Sequence, residues 1–111
     1  MEYNITKSEL EMLQVLWQAD APLSRAEIIE SSKNKTWKDS SIHILINGLL
    51  NKGLIYEAGF ARSGKTFGRL FAPRIKPEEY YRSIFIDLPL HVRTNLIALL
   101  VEMNRAEEKR I

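Results

Sequence analysis

The sequence contains no cysteine, and it also lacks other features that define whole classes of protein. Without thiols the chain forms neither a disulfide nor a thiolate metal site. No stretch approaches eighteen apolar residues, and the N-terminal MEYNITKSELEML has no basic segment followed by an apolar run. These absences predict a protein that is neither exported nor inserted in a membrane, and we expect it in the cytoplasm.

Histidine is scarce as well. His43 and His91 are the only two, and neither has a second ligand at helical spacing, which favours surface or packing roles over metal binding. Serine, histidine and aspartate occur, but their spacing does not indicate a catalytic triad. The sequence therefore predicts no enzyme, no metal site and no cofactor.

Charge is distributed unevenly along a chain of 111 residues, a length that suits one domain with a short appendage. The net charge is −4 over residues 1–32, +7 over residues 33–76 and −1 over residues 77–111. A basic middle third between mildly acidic ends indicates a surface for nucleic acid. The alternative is a solvated basic face with no partner.

Capping patterns predict the first two helices. Residues 6–9, TKSE, form a capping box, and apolar residues at helical spacing extend the helix over about residues 7–19. Residues 24–27, SRAE, repeat the pattern and open a short second helix that ends near Lys33.

A regular apolar pattern predicts a third helix over about residues 39–51. Its inward face, at i, i+3, i+4 and i+7, consists of Ile42, Leu45, Ile46 and Leu49. Its opposite face consists of Ser40, Ile44, Asn47, Gly48 and Asn51, with His43 at the border. Gly53 predicts a left-handed cap at the C-terminus of this helix.

The pattern then changes to that of a β-hairpin. Residues 54–58 and 66–72 are predicted strands, residues 59–65 are the predicted turn, and Pro73 ends the second strand. The segment GFARSGKT, Gly59–Thr66, also fits the G-x-x-x-x-G-K-[ST] pattern of a phosphate-binding loop. Such a loop needs a helix directly after it, and β-formers follow here instead. We therefore expect no nucleotide at this segment.

Three helices followed by a basic hairpin predict a winged helix-turn-helix domain over residues 1–75, with a C-terminal helical region over residues 76–111. The fold class is thus mainly α with a small β-hairpin. The third helix would read bases in the major groove, while the wing would reach the flanking backbone or the minor groove. The predicted DNA-binding residues are Lys38, Ser40, Ser41, His43, Ile44, Asn47, Arg62, Lys65 and Arg69.

The C-terminal region predicts a contact between two copies of the chain. Helices are expected over about residues 77–86 and 89–109, and the second is apolar nearly all round, so it must be buried on more than one side. A two-fold homodimer is the simplest arrangement that buries this helix, and the alternative is a monomer whose last helices fold back on its own core. The predicted dimerisation residues are Tyr81, Ile84, Phe85, Val92, Leu96, Leu99, Leu100 and Met103.

Several segments resemble one family. This is the penicillinase-repressor (BlaI/MecI) family, whose third helix has the pattern W-S-x-x-T-[IV]-x-T-L-L-x-R-L-x-x-K-G. The matching residues of this sequence are Trp37, Ser41-Ile42, Leu45-Ile46, Leu49-Leu50 and Lys52-Gly53. Residues 8–17 resemble the family's first helix, residues 71–73 the end of its wing and residues 95–102 its dimerisation helix.

The resemblance implies a homodimeric transcriptional repressor that binds double-stranded palindromic operators. Best-known members are released when a sensor-linked protease cuts the dimerisation helix, but Leu99-Leu100 stands where the family has its scissile Asn-Phe bond. The cysteine-rich tail of the copper-responsive branch is also absent. Ile44 and Gly48 replace a Thr and an Arg of the family on the face expected to be exposed, which leaves weaker base reading open. The alternative function is a winged-helix interaction module with weak or non-specific DNA binding.

Overall fold

In the computed structural model, which describes residues 3–63 and 66–110, the chain forms five helices and a three-stranded sheet. The elements are α1 (Lys7–Gln18), β1 (Leu23–Ser24), α2 (Arg25–Ser31), α3 (Ile42–Asn51), β2 (Ile55–Ser63), β3 (Thr66–Pro73), α4 (Pro77–Phe85) and α5 (Leu90–Lys109). One turn of 3-10 helix, Asp39–Ser41, leads into α3. This order confirms the predicted fold class, a winged helix followed by C-terminal helices.

Both predicted capping boxes are formed. The Thr6 hydroxyl accepts from the backbone N–H of Glu9, and the Glu9 carboxylate accepts from the backbone N–H of Thr6. Ser24 and Glu27 make the same two bonds at the start of α2. Each box satisfies N–H groups that a helix start otherwise leaves unpaired. At the end of α3, Gly53 has a φ of 72°, the left-handed conformation that its predicted role as a cap requires.

The sheet has one strand more than the predicted hairpin. β1 pairs antiparallel with β3, Leu23 lying opposite Phe71, so the strand order is β1-β3-β2. A strand of two residues is too short to show the alternation of apolar and polar side chains by which strands are predicted from sequence. Because β1 leads directly into α2, this pairing fixes the start of the helix-turn-helix against the wing.

The turn predicted over residues 59–65 is wrong for its first five positions. Residues 59–63 continue β2 and pair with β3. The register shifts by one residue between Glu57 and Gly59, and at this bulge Gly59 has a φ of 131°, which glycine adopts without steric cost. The wing is therefore a long ribbon, and residues 64–65 at its tip lie outside the described residues.

One hydrophobic core joins the first three helices to the sheet and to α4. Its completely buried side chains include Met12, Leu13, Ile28, Ile46, Leu49, Leu54, Ile55 and Phe71. On α3, Leu45 is only half-buried, whereas the other three predicted core positions are buried. Tyr80 of α4 also enters the core, its ring centre 5.9 Å from that of Trp17. The predicted division between residues 75 and 76 stays a prediction.

The last helix stands apart from this core. None of the residues 90–109 in α5 is buried. Apolar side chains remain exposed along its length: Leu90, Val92, Ile97, Leu99, Leu100, Val101 and Met103. Leu96 is half-buried. In the single chain, therefore, α5 does not fold back into the core, and its apolar surface remains uncovered.

Candidate nucleic-acid interface

The outer face of α3 presents the residues predicted to read DNA. Side chains at the start of the helix and along this face are exposed: Lys38, Ser40, His43, Ile44 and Asn47. Ser41, in the 3-10 turn, is half-buried. Ile44 is 75% exposed, so its side chain contributes little to the fold of the single chain. The structure thus exposes five of the six predicted residues of this segment, and Ser41 is the exception.

Gly48 does not belong to this face. It is half-buried and faces α1, where a Cβ at this position would overlap Oε2 of Glu9. The interpretation of Gly48 as a missing DNA-facing group is therefore wrong. The position is small because the Glu9 carboxylate occupies the space beside it.

Glu9 is buried and connects α1 to the end of α3. Its Oε1 accepts from the Lys52 ammonium at 2.5 Å and from the backbone N–H of Thr6 at 3.0 Å. Burial acts to raise the pKa of Glu9, but the hydrogen bonds from Lys52 and Thr6 and the Lys52 charge together lower it below its usual value. The carboxylate is therefore ionised at neutral pH, and its bond with Lys52 holds the C-terminal end of α3 against α1.

Arg25, the first residue of α2, was missed in the sequence interpretation. Its Nη1 lies 2.8 Å from Nδ1 of His43 on α3, a contact between the two helices of the helix-turn-helix. A guanidinium only donates, so in this bond Nδ1 of the ring accepts. The first helix of this motif crosses the DNA backbone, so a cation at its N-terminal end was a signal that could have identified Arg25.

The wing carries the other predicted DNA contacts. Arg62 is exposed near the end of β2, while Lys65 lies outside the described residues. Arg69 on β3 is half-buried, forms an ion pair with Glu57 on β2 and lies 5.4 Å from the ring centre of Phe71. Arg69 is thus held against the sheet by Glu57.

The match to a phosphate-binding loop lacks the required structure. Gly59 lies within β2, and the residues from Thr66 onward form β3 rather than a helix. Over residues 3–63 and 66–110, no three His, Asp or Glu side chains gather as the ligands of a metal ion would. In the same ranges, none of the helices has the length and apolar character needed to cross a membrane.

The predicted dimerisation residues lie on α4 and α5. On α4, Tyr81 is exposed and Ile84 and Phe85 are half-buried. On α5, Leu96 is half-buried, and Val92, Leu99, Leu100 and Met103 are exposed. An open groove of about 570 Å³ lies against α4. Its lining includes Tyr81, Phe85 and Ile86 together with Glu78 and Arg82, and α5 contributes Arg93.

A helix-turn-helix with an exposed reading face, followed by a two-stranded wing in a basic segment, defines the winged-helix class of DNA-binding proteins. The family model for the penicillinase repressor matches residues 5–109, and the chain belongs to that family. This confirms the resemblance that the third helix carries. The family consists of DNA-binding transcriptional repressors and is not enzymatic. No individually curated protein gives a significant match to the chain.

Proposed function

We propose that the protein represses transcription as a cytoplasmic homodimer bound to palindromic operator DNA. The observation that carries the proposal is the exposed outer face of α3, with Ile44 and Asn47 side by side, in a member of a repressor family. In a two-fold dimer, two such helices would enter major grooves one helical turn of DNA apart.

Base reading is assigned to Asn47 and Ile44. A carboxamide pairs with adenine through two hydrogen bonds, and an apolar side chain packs on the methyl group of thymine. Because Gly48 faces Glu9 instead of the exposed side, its difference from the family pattern takes no DNA contact away. Lys38, Ser40, Ser41 and His43 supply contacts to phosphates and neighbouring base edges.

Affinity is assigned to the basic wing. Phosphate contacts from Arg62 and Lys65 release counterions, which strengthens binding to any duplex. Arg69 contributes less than a solvent-exposed arginine because Glu57 already neutralises its charge. Arg25 adds a cation at the start of α2, beside His43.

A second copy of the chain is proposed to bury the exposed apolar surface of α5. The helix is exposed on several sides in the single chain, and large exposed apolar surfaces of this kind mark interaction sites. The groove against α4 has charged side chains in its lining, Glu78, Arg82 and Arg93, but its apolar part, formed by Tyr81, Phe85 and Ile86, suits a leucine or methionine of a partner's α5. Dimerisation would double the DNA contacts and match the symmetry of a palindrome.

Selection of bound duplexes from a random library, using the purified full chain, tests the proposal. We expect an enriched two-fold symmetric motif, and an affinity for that motif that falls steeply as salt is raised. The alternative, an interaction module with weak or non-specific DNA binding, predicts that no motif is enriched. A shallow salt dependence together with a random pool of sequences would rule out the repressor function.

A further inference from the structure

The wing exposes an aromatic side chain that the fold of the single chain does not use. Phe60 lies near the outer end of β2 and is 67% exposed, although other aromatic residues of the sheet and helices, such as Phe71 and Tyr80, are buried. Leaving an apolar ring in water is unfavourable, and large exposed apolar groups often belong to binding surfaces. Phe60 is therefore available for contact with a partner, and its neighbours on the ribbon decide which kind of partner would fit.

The register of the ribbon shows which way Phe60 points. Phe60 pairs with Arg69, and residues paired across two strands lie on the same face of a sheet. Arg69 shares its face with Phe71, two positions further along β3, and Phe71 is buried in the core among the helices. Phe60 thus projects from the helix side of the wing, the side on which α3 lies.

The charges around Phe60 indicate the chemistry of the partner. Arg69 lies directly opposite, in its ion pair with Glu57, and Arg62 follows two positions later on the same face of β2. The segment of residues 33–76 that contains the ribbon has a net charge of +7. An exposed aromatic ring beside Arg62, on a ribbon within a basic segment, suits a polyanion that also offers apolar surface, which describes the sugars and base edges of a DNA minor groove.

We propose that Phe60 is a minor-groove wedge: its ring enters the minor groove flanking the major groove occupied by α3 and partly opens a base step there. The inference rests on the proposed function, since it requires α3 to be bound to duplex DNA. Such wedges favour flexible steps, TA and CA/TG, because these cost least to unstack. Phe60 would therefore add sequence preference at positions that make no hydrogen bond with the protein.

Binding of the full-length chain to its selected duplex tests the wedge. Phe60→Ala should lower affinity about tenfold and reduce the bend measured by energy transfer between dyes at the two duplex ends. The salt slope should stay unchanged, because an apolar contact releases no counterions. Phe60→Leu should keep most of the affinity and bend. Arg62→Ala, in contrast, should lower the slope by about 1 for a lost phosphate contact.

Tyr56→Ala is the matched control. Tyr56 is an exposed aromatic residue of the same strand, but it pairs with Ala72 and so lies on the opposite face of the sheet from Phe60. We expect this variant to bind and bend DNA as the wild type does. Unfolding in urea should show that both alanine variants are folded at the temperature of the binding assay.

Distinct results separate the wedge from the proposed function. Wild-type affinity and bend in Phe60→Ala, while the wild type still binds its motif with a steep salt slope, would overturn the wedge and leave the repressor function intact. A loss of affinity and bend in Tyr56→Ala equal to that in Phe60→Ala would also overturn the wedge, because the effect would then come from the shape of the ribbon. A reduced salt slope in Phe60→Ala would overturn it as well, because the effect would then come from the charges of the ribbon. A wild type with no motif and no steep salt slope would overturn both.

Discussion

The carboxylate of Glu9 on α1 occupies the space that a Cβ on Gly48 of α3 would need. Its other oxygen is held by the Lys52 ammonium and the backbone N–H of Thr6, so moving the carboxylate aside disturbs both hydrogen bonds. The small size of this residue of α3 is thus explained by its packing against α1.

Gly48→Ala should therefore destabilise the protein even though alanine is the better helix former. Displacing Glu9 loses a charge-assisted hydrogen bond worth about 1.5–3 kcal/mol. The gain in helix propensity is only about 1 kcal/mol. In a Glu9→Ala background nothing is displaced, and Gly48→Ala should stabilise by about 1 kcal/mol. Urea unfolding of the four proteins measures the coupling between the two sites. Additive effects would show that Glu9 moves away at no cost.

Acid should reduce stability through two glutamates of α1. Hydrogen bonds from the Thr36 hydroxyl, at 2.6 Å, and from the Thr36 N–H, at 2.9 Å, lower the pKa of Glu11. Burial acts to raise the pKa of Glu9, but Lys52 and Thr6 overcome this effect and lower it. A carboxyl whose pKa is lower in the folded state stabilises above its unfolded pKa, and this contribution is lost as pH falls through the folded pKa. The free energy of unfolding should be flat near neutrality and decline below about pH 4.5.

Variants of Glu9 and Glu11 test whether these two carboxyls cause the loss of stability in acid. Glu9→Gln with Glu11→Gln should be less stable at pH 7 and should lose less stability between pH 5 and pH 3, in urea unfolding at each pH. Glu30→Gln, at an exposed position of α2, is the matched control and should follow the wild-type curve. An equally steep acid decline in the double variant would locate the titrating groups elsewhere.

Features encoded by neighbouring residues could be predicted from the sequence, and features that depend on distant segments could not. The capping boxes and the cap at Gly53 involve residues within one helical turn, and both are present as predicted. The helical wheel identified the apolar face of α3 but could not show where α1 would lie, so Gly48 was assigned to the wrong side. The contact between Arg25 and His43 spans 18 positions and has no local pattern.

Arg25 and His43 should act as a coupled pair in DNA binding. The hydrogen bond between them orients the guanidinium on the surface that carries the reading face of α3. Arg25→Ala and His43→Ala should each weaken operator binding, and the double variant should lose less than the two single losses combined. We expect a coupling of about 0.5–1 kcal/mol from titrations at one salt concentration. Strictly additive losses would mean that the two side chains contact DNA independently.

Asn47 and Ile44 should determine base preference rather than general affinity. Asn47→Ala should relax preference at one base pair, by about 1–3 kcal/mol if the contact with adenine is bidentate. Ile44→Ala should weaken a preference for thymine at a neighbouring pair. Selected-site sequencing of each variant measures both effects, and Asn104→Ala, which removes the same carboxamide at an exposed position of α5, is the control. Motifs identical to that of the wild type would exclude this face from base reading.

The exposed apolar surface of α5 should hold two chains together. Leu96 is half-buried and Leu100 is 40% exposed in the single chain, and the two lie one helical turn apart. Two aspartates there would place charges inside an apolar interface, where desolvation is costly. Leu96→Asp with Leu100→Asp should therefore give a soluble monomer in sedimentation. Its N-terminal core should stay folded, because α5 contributes no buried side chain to it.

The control for this variant adds the same charge to the same helix. Asn95→Asp with Asn104→Asp introduces two aspartates at exposed polar positions of α5 and should remain dimeric. A monomer engages only one half-site at a time, so the leucine variant should bind a palindromic duplex much more weakly than the asparagine variant, while both should bind an isolated half-site equally. A wild-type chain that sediments as a monomer at micromolar concentration would contradict the dimer. Equal binding of the palindrome by both variants would show that dimerisation does not contribute to operator affinity.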